Sequence, residues 1–235
     1  MIKKTNLEAV KEVAVSFLHF AVDETPLSPL IVNHPIFETG IVDLKNGNEC
    51  KMTDILTPDG FAEATEQYEQ IINACENAYH VFLVVRKSYR LTFLKFTEPY
   101  LSLEDFSNIL AYAWVSSENP NQDTNCNLRL LIKWFKKADK RTLMEDTDYA
   151  IYTNLPDEFT VYRGVGVGRN PKGLSWTRSY NKAVWFANRF NRDGKTGYVQ
   201  GAVIKRDKVL AYFNTRNEDE IVANSKDLSN FKIIE

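Results

Sequence analysis

The stretch VYRGVGVGRNPKGLSWT, residues 161 to 177, decides how the rest of the chain is read. Upstream of it, apolar residues recur every three to four positions. From Phe159 onward they alternate, so the period falls from that of a helix to that of a strand. Short strand-like runs follow one another as FTVYR, GLSWT, YVQGAVIK, KVLAYF, EIVA and FKIIE, interrupted by a single helical stretch, SYNKAVWFANRF at 179 to 190. The expected class is α+β. Residues 1 to 156 are expected to be mainly helical and 157 to 235 to form a β-rich core. The 79 residues of that core are few for an independent sheet, so the helical part is expected to pack on it as one structural unit.

Working outward toward the N-terminus, Leu7, Val10, Val13, Ala14, Phe17 and Leu18 mark a helix within 5 to 22, and residues 30 to 56 read as irregular or weakly stranded with a KNGN turn at 45 to 48. Thr57 and Pro58 cap and open a second helix carrying Phe61, Ala64, Tyr68, Ile71, Ile72 and Cys75. The run YHVFLVVRKSYRLTFLKF has no turn residue inside it and is read as helical. Ser102 with Asp105 caps a helix over about 103 to 116, SSENPNQDTN is a loop, and further helices cover 127 to 138 and about 143 to 152.

Charge and cysteine content narrow the function classes. Lys and Arg (29) nearly balance Asp and Glu (31), which argues against a global basic field for nucleic acid. A local patch, KWFKKADKR at 133 to 141, remains; its simpler reading is an amphipathic helix with a solvated basic face. Cys50, Cys75 and Cys126 are odd in number and widely spaced. They fit reduced cytoplasmic thiols rather than a disulfide scaffold or a zinc site, and no metal is expected. The N-terminal apolar residues are interrupted by Glu8, Lys11 and Glu12, and no span reaches membrane length, so neither a secretory signal nor a membrane partner is expected.

The opening stretch holds four of the ten glycines, so phosphate-binding loops must be tested. A dinucleotide fingerprint starting at Gly164 meets Arg169 where Gly or Ala belongs, and a P-loop spanning Gly168 and Gly173 meets Leu174 where Lys belongs. GKT at 194 to 196 has Arg189 in place of its upstream glycine, and YVQGAVI lacks the paired aromatics of an RNA-recognition strand. What remains is an arginine near a strand end, Arg163, followed by a turn whose backbone N–H groups can approach an anion.

Near the C-terminus, RNEDEIV at 216 to 222 sets Glu218, Asp219 and Glu220 against Ile221 and Val222. Taken alone it reads as a solvated acidic turn. Taken in order, YRG at 162 to 164, GLSWT at 173 to 177 with a helix after it, and Glu-Asp-Glu before an apolar pair resemble the arginine-serine-glutamate branch of the ADP-ribosyltransferases. The similarity covers about residues 158 to 223, and bacterial and phage-encoded toxin-like members are the nearest in motif. It implies a split β-sheet core, NAD as co-substrate without a metal, and transfer of ADP-ribose to a macromolecule.

The resemblance also assigns roles. Glu220 matches the catalytic glutamate that stabilises an oxocarbenium-like ribose, and Glu218 the residue that orients or deprotonates the acceptor. The two share a face if the segment is extended, with Asp219 turned away as a solvated bystander. Arg163 is expected to clamp a phosphate or ribose oxygen, Gly164 to approach the nicotinamide amide, Ser175 to position the ribose and support Glu220, and Thr177 to bind near the cofactor or steady its strand. Only eleven residues separate Arg163 from Ser175, which implies a short nucleotide-enclosing segment. Trp176, Trp185 and Phe186 are read as core rather than stacking residues. The acceptor expected first is a protein arginine and next an RNA base; toxin-like members imply a neutralising antitoxin partner. A catalytically silent NAD-binding or interaction module on the same fold is the reading from another class.

Overall fold

A computed structural model describes residues 3–47, 49–117, 120, 123–191 and 195–234. Asn48 of the expected KNGN turn, part of the expected loop over 116–125 and Gly194 of GKT lie outside the described residues. The chain is α+β and divides into two compact units, Met1–Ile109 with Ser116–Glu118, and Leu110–Val115 with Asn119–Glu235.

The first unit opens with helix α1 (Leu7–Leu18), then short strands β1 (Asp23–Glu24) and β2 (Val32–Asn33), and a hairpin of β3 (Ile41–Asn46) and β4 (Glu49–Asp54). Gly47 supplies the positive φ of 66° that this tight hairpin needs. Helices α2 (Pro58–Asn73), α3 (Ala78–Val84) and α4 (Arg90–Thr97) follow, and α5 (Leu103–Ser116) runs through both units. Thr57 caps α2, its Oγ1 accepting from the Gly60 N–H at 3.2 Å. Phe17 of α1 meets Phe93 edge-on at 5.2 Å and Phe93 meets Phe82 at 4.6 Å, an aromatic core that joins α1, α3 and α4.

In the second unit α6 (Leu128–Lys137), α7 (Lys140–Leu143) and α8 (Asp146–Thr153) precede the sheet strands β5 (Glu158–Val165) and β6 (Ser175–Thr177). Helix α9 (Tyr180–Asn188) separates these from β7 (Tyr198–Lys205), β8 (Val209–Phe213), β9 (Glu220–Ala223) and β10 (Leu228–Ile234). The six strands form one antiparallel sheet in the order β10-β7-β5-β6-β9-β8. In α6, Trp134 and Phe135 are fully buried while Lys133, Lys136 and Lys137 are exposed, so KWFKKADKR begins as an amphipathic helix with its aromatics in the core.

The sheet is joined unevenly. β5 and β7 pair along eight residues, whereas β5 and β6 meet in one bridge, Tyr162 with Thr177. A flat sheet would set β6 and β10, three places apart, roughly 14 Å from one another. The rings of Trp176 on β6 and Phe231 on β10 nevertheless lie 6.1 Å apart. The sheet is therefore not flat across β10, β7, β5 and β6.

All five residues of the edge strand β8 are buried. Its outer backbone groups are satisfied by the helices packed on it: Lys140 Nζ donates to the Leu210 carbonyl at 2.5 Å, the Tyr212 N–H to Met144 Sδ at 3.4 Å, and the Asn214 N–H just beyond the strand to Asp148 Oδ2 at 2.9 Å. Burial pulls the Lys140 ammonium down to about 8, offset in part by Asp139. Residues 123 to 153 thus belong with the sheet, and the change of pattern at 156 marks where strands begin rather than where the two units divide.

Helix α9 lies directly on β5. A Cβ at Gly164 would stand 2.1 Å from the Ala183 carbonyl oxygen, and one at Gly197 2.1 Å from that of Ala187. Glycine here allows close helix-to-strand packing over Ala183, Ala187 and Val199. Gly164→Ala is expected to push the helix outward and cost about 1–3 kcal/mol, read as a lowered midpoint in chemical denaturation.

Candidate active site

Register places the motif residues together. Thr177 pairs with Glu220 and Ser175 with Val222, so Ser175, Thr177 and Glu220 share one face of adjacent strands. The Ser175 hydroxyl hydrogen-bonds the Glu220 carboxylate. The second donor has no counterpart among the expected site residues: Trp114 in α5 gives its indole Nε1–H to Glu220 Oε1 at 3.1 Å, both groups buried. Burial raises the Glu220 carboxyl above its ordinary value and the Glu218 charge raises it further, while the hydrogen bonds of Ser175 and Trp114 and the charge of Arg216 oppose the rise.

Thr177 is committed in both directions. Its Oγ1 donates to the Glu218 carbonyl at 2.8 Å and accepts from the Ser179 N–H at 3.1 Å. This hydroxyl steadies the entrance to β9, which agrees with the strand-steadying role and leaves its donor spent.

The acidic triplet is not extended. Asn217 and Asp219 have φ of 53° and 50°, and β9 begins only at Glu220. Alternation along a strand therefore does not set Glu218 and Glu220 on one face, although the Glu218 charge still reaches the Glu220 carboxyl. Asp219 is no solvated bystander. Its Oδ1 accepts from Tyr212 Oη at 2.8 Å and lies 3.6 Å from Arg178 Nε, while its N–H donates to Asn214 Oδ1 at 2.9 Å. Glu218 Oε2 accepts from Arg216 Nη2 at 3.0 Å. Three adjacent carboxylates are tolerated because each has its own partners.

Arg163 is half-buried with its Nε enclosed, and its guanidinium already holds the turn that follows it. Nη1 donates to the Ser175 carbonyl at 2.6 Å and Nη2 to the Asn170 carbonyl at 3.1 Å, while Nε is buried without a hydrogen-bond partner. Gly173 makes room: a Cβ there would fall 2.2 Å from Nη2. Burial lowers the guanidinium to about 10, with the charges of Glu220 and Tyr198 acting the other way. It stays a cation at neutral pH, and two of its five N–H groups are used by these carbonyls.

Of the aromatics read as core, Trp176 is buried at 2% exposure, but Trp185 stands 53% exposed on α9. Phe190 lies beyond the end of α9 and is 59% exposed. Ala183 and Ala187 form the buried contact of α9 with Val199, Val184 packs beside them, and Phe186 is half-buried.

Among the described residues there is no group of three or more His, Cys, Asp or Glu able to hold a metal ion, and no helix is long and apolar enough to cross a membrane. No protein family, curated protein or solved structure matches the chain.

Proposed function

We propose that this chain is a mono-ADP-ribosyltransferase, toxin-like or phage-effector-like, that cleaves NAD and passes ADP-ribose to a macromolecule, a protein arginine first among acceptors. The observation that carries this reading is the buried Glu220 carboxylate, held by Trp114 and Ser175, whose charge favours the Arg163 cation, with a second carboxylate, Glu218, two residues away. A carboxylate has about four lone-pair sites. The two donors leave Glu220 capacity to accept from a ribose hydroxyl.

In the proposed step the bond between ribose C1′ and the nicotinamide nitrogen breaks, and its electron pair leaves with the neutral base. Glu220 stabilises the positive charge growing on the ribose. An acceptor nitrogen bonds to C1′ and yields its proton to Glu218. The remaining N–H groups of Arg163 face a phosphate or ribose oxygen, the Gly164 backbone approaches the nicotinamide amide, and no metal is used. Arginine is favoured as acceptor because Glu218 already holds a guanidinium, that of Arg216, at 3.0 Å.

Glu218→Gln should keep nicotinamide release to water while transfer to a guanidino acceptor falls roughly a hundredfold. Transfer at the parent rate would remove Glu218 from the chemistry. An RNA base is the second reading, supported by the exposed aromatic and arginine residues of α9 and the glycine turn. Labelled NAD in cell lysate, followed by protease or RNase, separates the two: label that survives RNase and is removed by protease means a protein acceptor. An antitoxin partner, if the protein is a toxin, would cover the Glu218 and Glu220 entrance.

A further inference from the structure

Beside the proposed centre lies a surface that its chemistry does not use. Trp185 and Phe190 are 53% and 59% exposed, and the Arg189 guanidinium lies over both rings, at 4.8 and 4.6 Å from their centroids. Arg169, from the glycine turn, stands 5.9 Å from the Phe190 centroid. Asn191 fastens that turn to the end of α9, its Oδ1 accepting from the Val167 N–H at 3.1 Å and its Nδ2 donating to the Ala187 carbonyl at 2.8 Å. The rings and cations therefore form one continuous patch. Large aromatic residues exposed together are uncommon on a surface with no partner.

The segment that carries the patch is one-sided in charge. Residues 163 to 191 contain Arg163, Arg169, Lys172, Arg178, Lys182 and Arg189 and neither Asp nor Glu, in a chain whose net charge is -2. Arg163 is half-buried, Arg178 is exposed and faces Asp219, and Arg169, Lys172 and Arg189 are also exposed. We infer that this face binds single-stranded nucleic acid, with unpaired bases stacking on Trp185, Phe190 and the Arg189 plane and the phosphates lying along Arg169, Lys172 and Arg189. Unpaired bases offer flat faces to rings and guanidinium planes, which a duplex keeps stacked inside. An acidic protein would answer the charge and leave the rings without purpose.

The test is fluorescence anisotropy of the full chain with a labelled mixed-sequence RNA strand, the same strand in duplex, and poly-glutamate and NAD as competitors. The single strand should bind more tightly than the duplex. Trp185→Ala with Phe190→Ala should weaken it about tenfold or more. Arg169→Gln with Arg189→Gln should flatten the dependence of log K on log salt by roughly 0.7 for each phosphate no longer neutralised. All four positions are exposed, and thermal melting checks that the variants fold. Unchanged binding in the ring variants, equal affinity for duplex, or displacement by poly-glutamate would overturn the inference. Displacement by NAD would overturn it too, by making the patch a dinucleotide subsite. None of these outcomes depends on transferase activity.

Discussion

Glu220→Gln is expected to lower NAD cleavage by about two to three orders of magnitude while leaving the protein folded. The substitution keeps shape and an oxygen able to accept from Trp114 Nε1, and it removes the charge that a developing ribose cation would use. The native carboxyl titrates above its ordinary value of 4.5 because it is buried. Between 4.5 and the raised value the folded protein holds a proton that the unfolded chain releases, so the group's contribution to stability falls as pH rises through that window. Glutamine has no such proton to lose. At neutral pH the variant should match or exceed the parent in denaturant midpoint. Nicotinamide release by the purified variant at the parent rate would remove Glu220 from the mechanism; a parent protein that binds NAD and never releases nicotinamide would make the chain a silent binding module.

Trp114 carries the second large effect, and two substitutions separate its duties. Trp114→Ala empties a fully buried site beside Phe135, whose ring it meets edge-on at 5.0 Å, and should cost about 3–5 kcal/mol in chemical unfolding. Trp114→Phe retains most of the volume and removes only the donor to Glu220. That donor is among the influences holding the Glu220 carboxyl down, so without it the carboxyl climbs further and the acid limb of the pH–activity profile moves to higher pH. An unshifted limb in a folded Phe variant would reduce Trp114 to a packing residue.

Legibility in the sequence follows the range of the interactions involved. The Thr57 cap, the amphipathic face of α6 and the six strands after Phe159 rest on neighbours a few residues apart, and all three are found as expected. The division into units is hidden because it falls inside the continuous helix α5, where the apolar period does not change. Trp114 is hidden for a related reason: its acceptor is 106 residues away. A buried indole N–H needs an acceptor, which is a usable hint, yet nothing local says which one. Asp219 departs from its expected place because the backbone there is not extended. Asn217 and Asp219 are residue types enriched at positive φ, and their spacing is the sign of a turn that strand-like alternation conceals. The sequence singles out Arg163, Ser175 and Glu220, but the occupation of Arg163 by the Ser175 and Asn170 carbonyls is visible only in the folded turn.

The lone bridge between Tyr162 and Thr177 gives the sheet a grain. Between β5 and β7 eight residue pairs join the strands, whereas between β5 and β6 there is one pairing, the arginine stitch to the Ser175 carbonyl and the cover of α9. The seam is thus where the two halves of the sheet are held least by strand pairing. It runs between Arg163 and Ser175, so the two residues of the proposed site stand on opposite sides of the sheet's sparsest pairing.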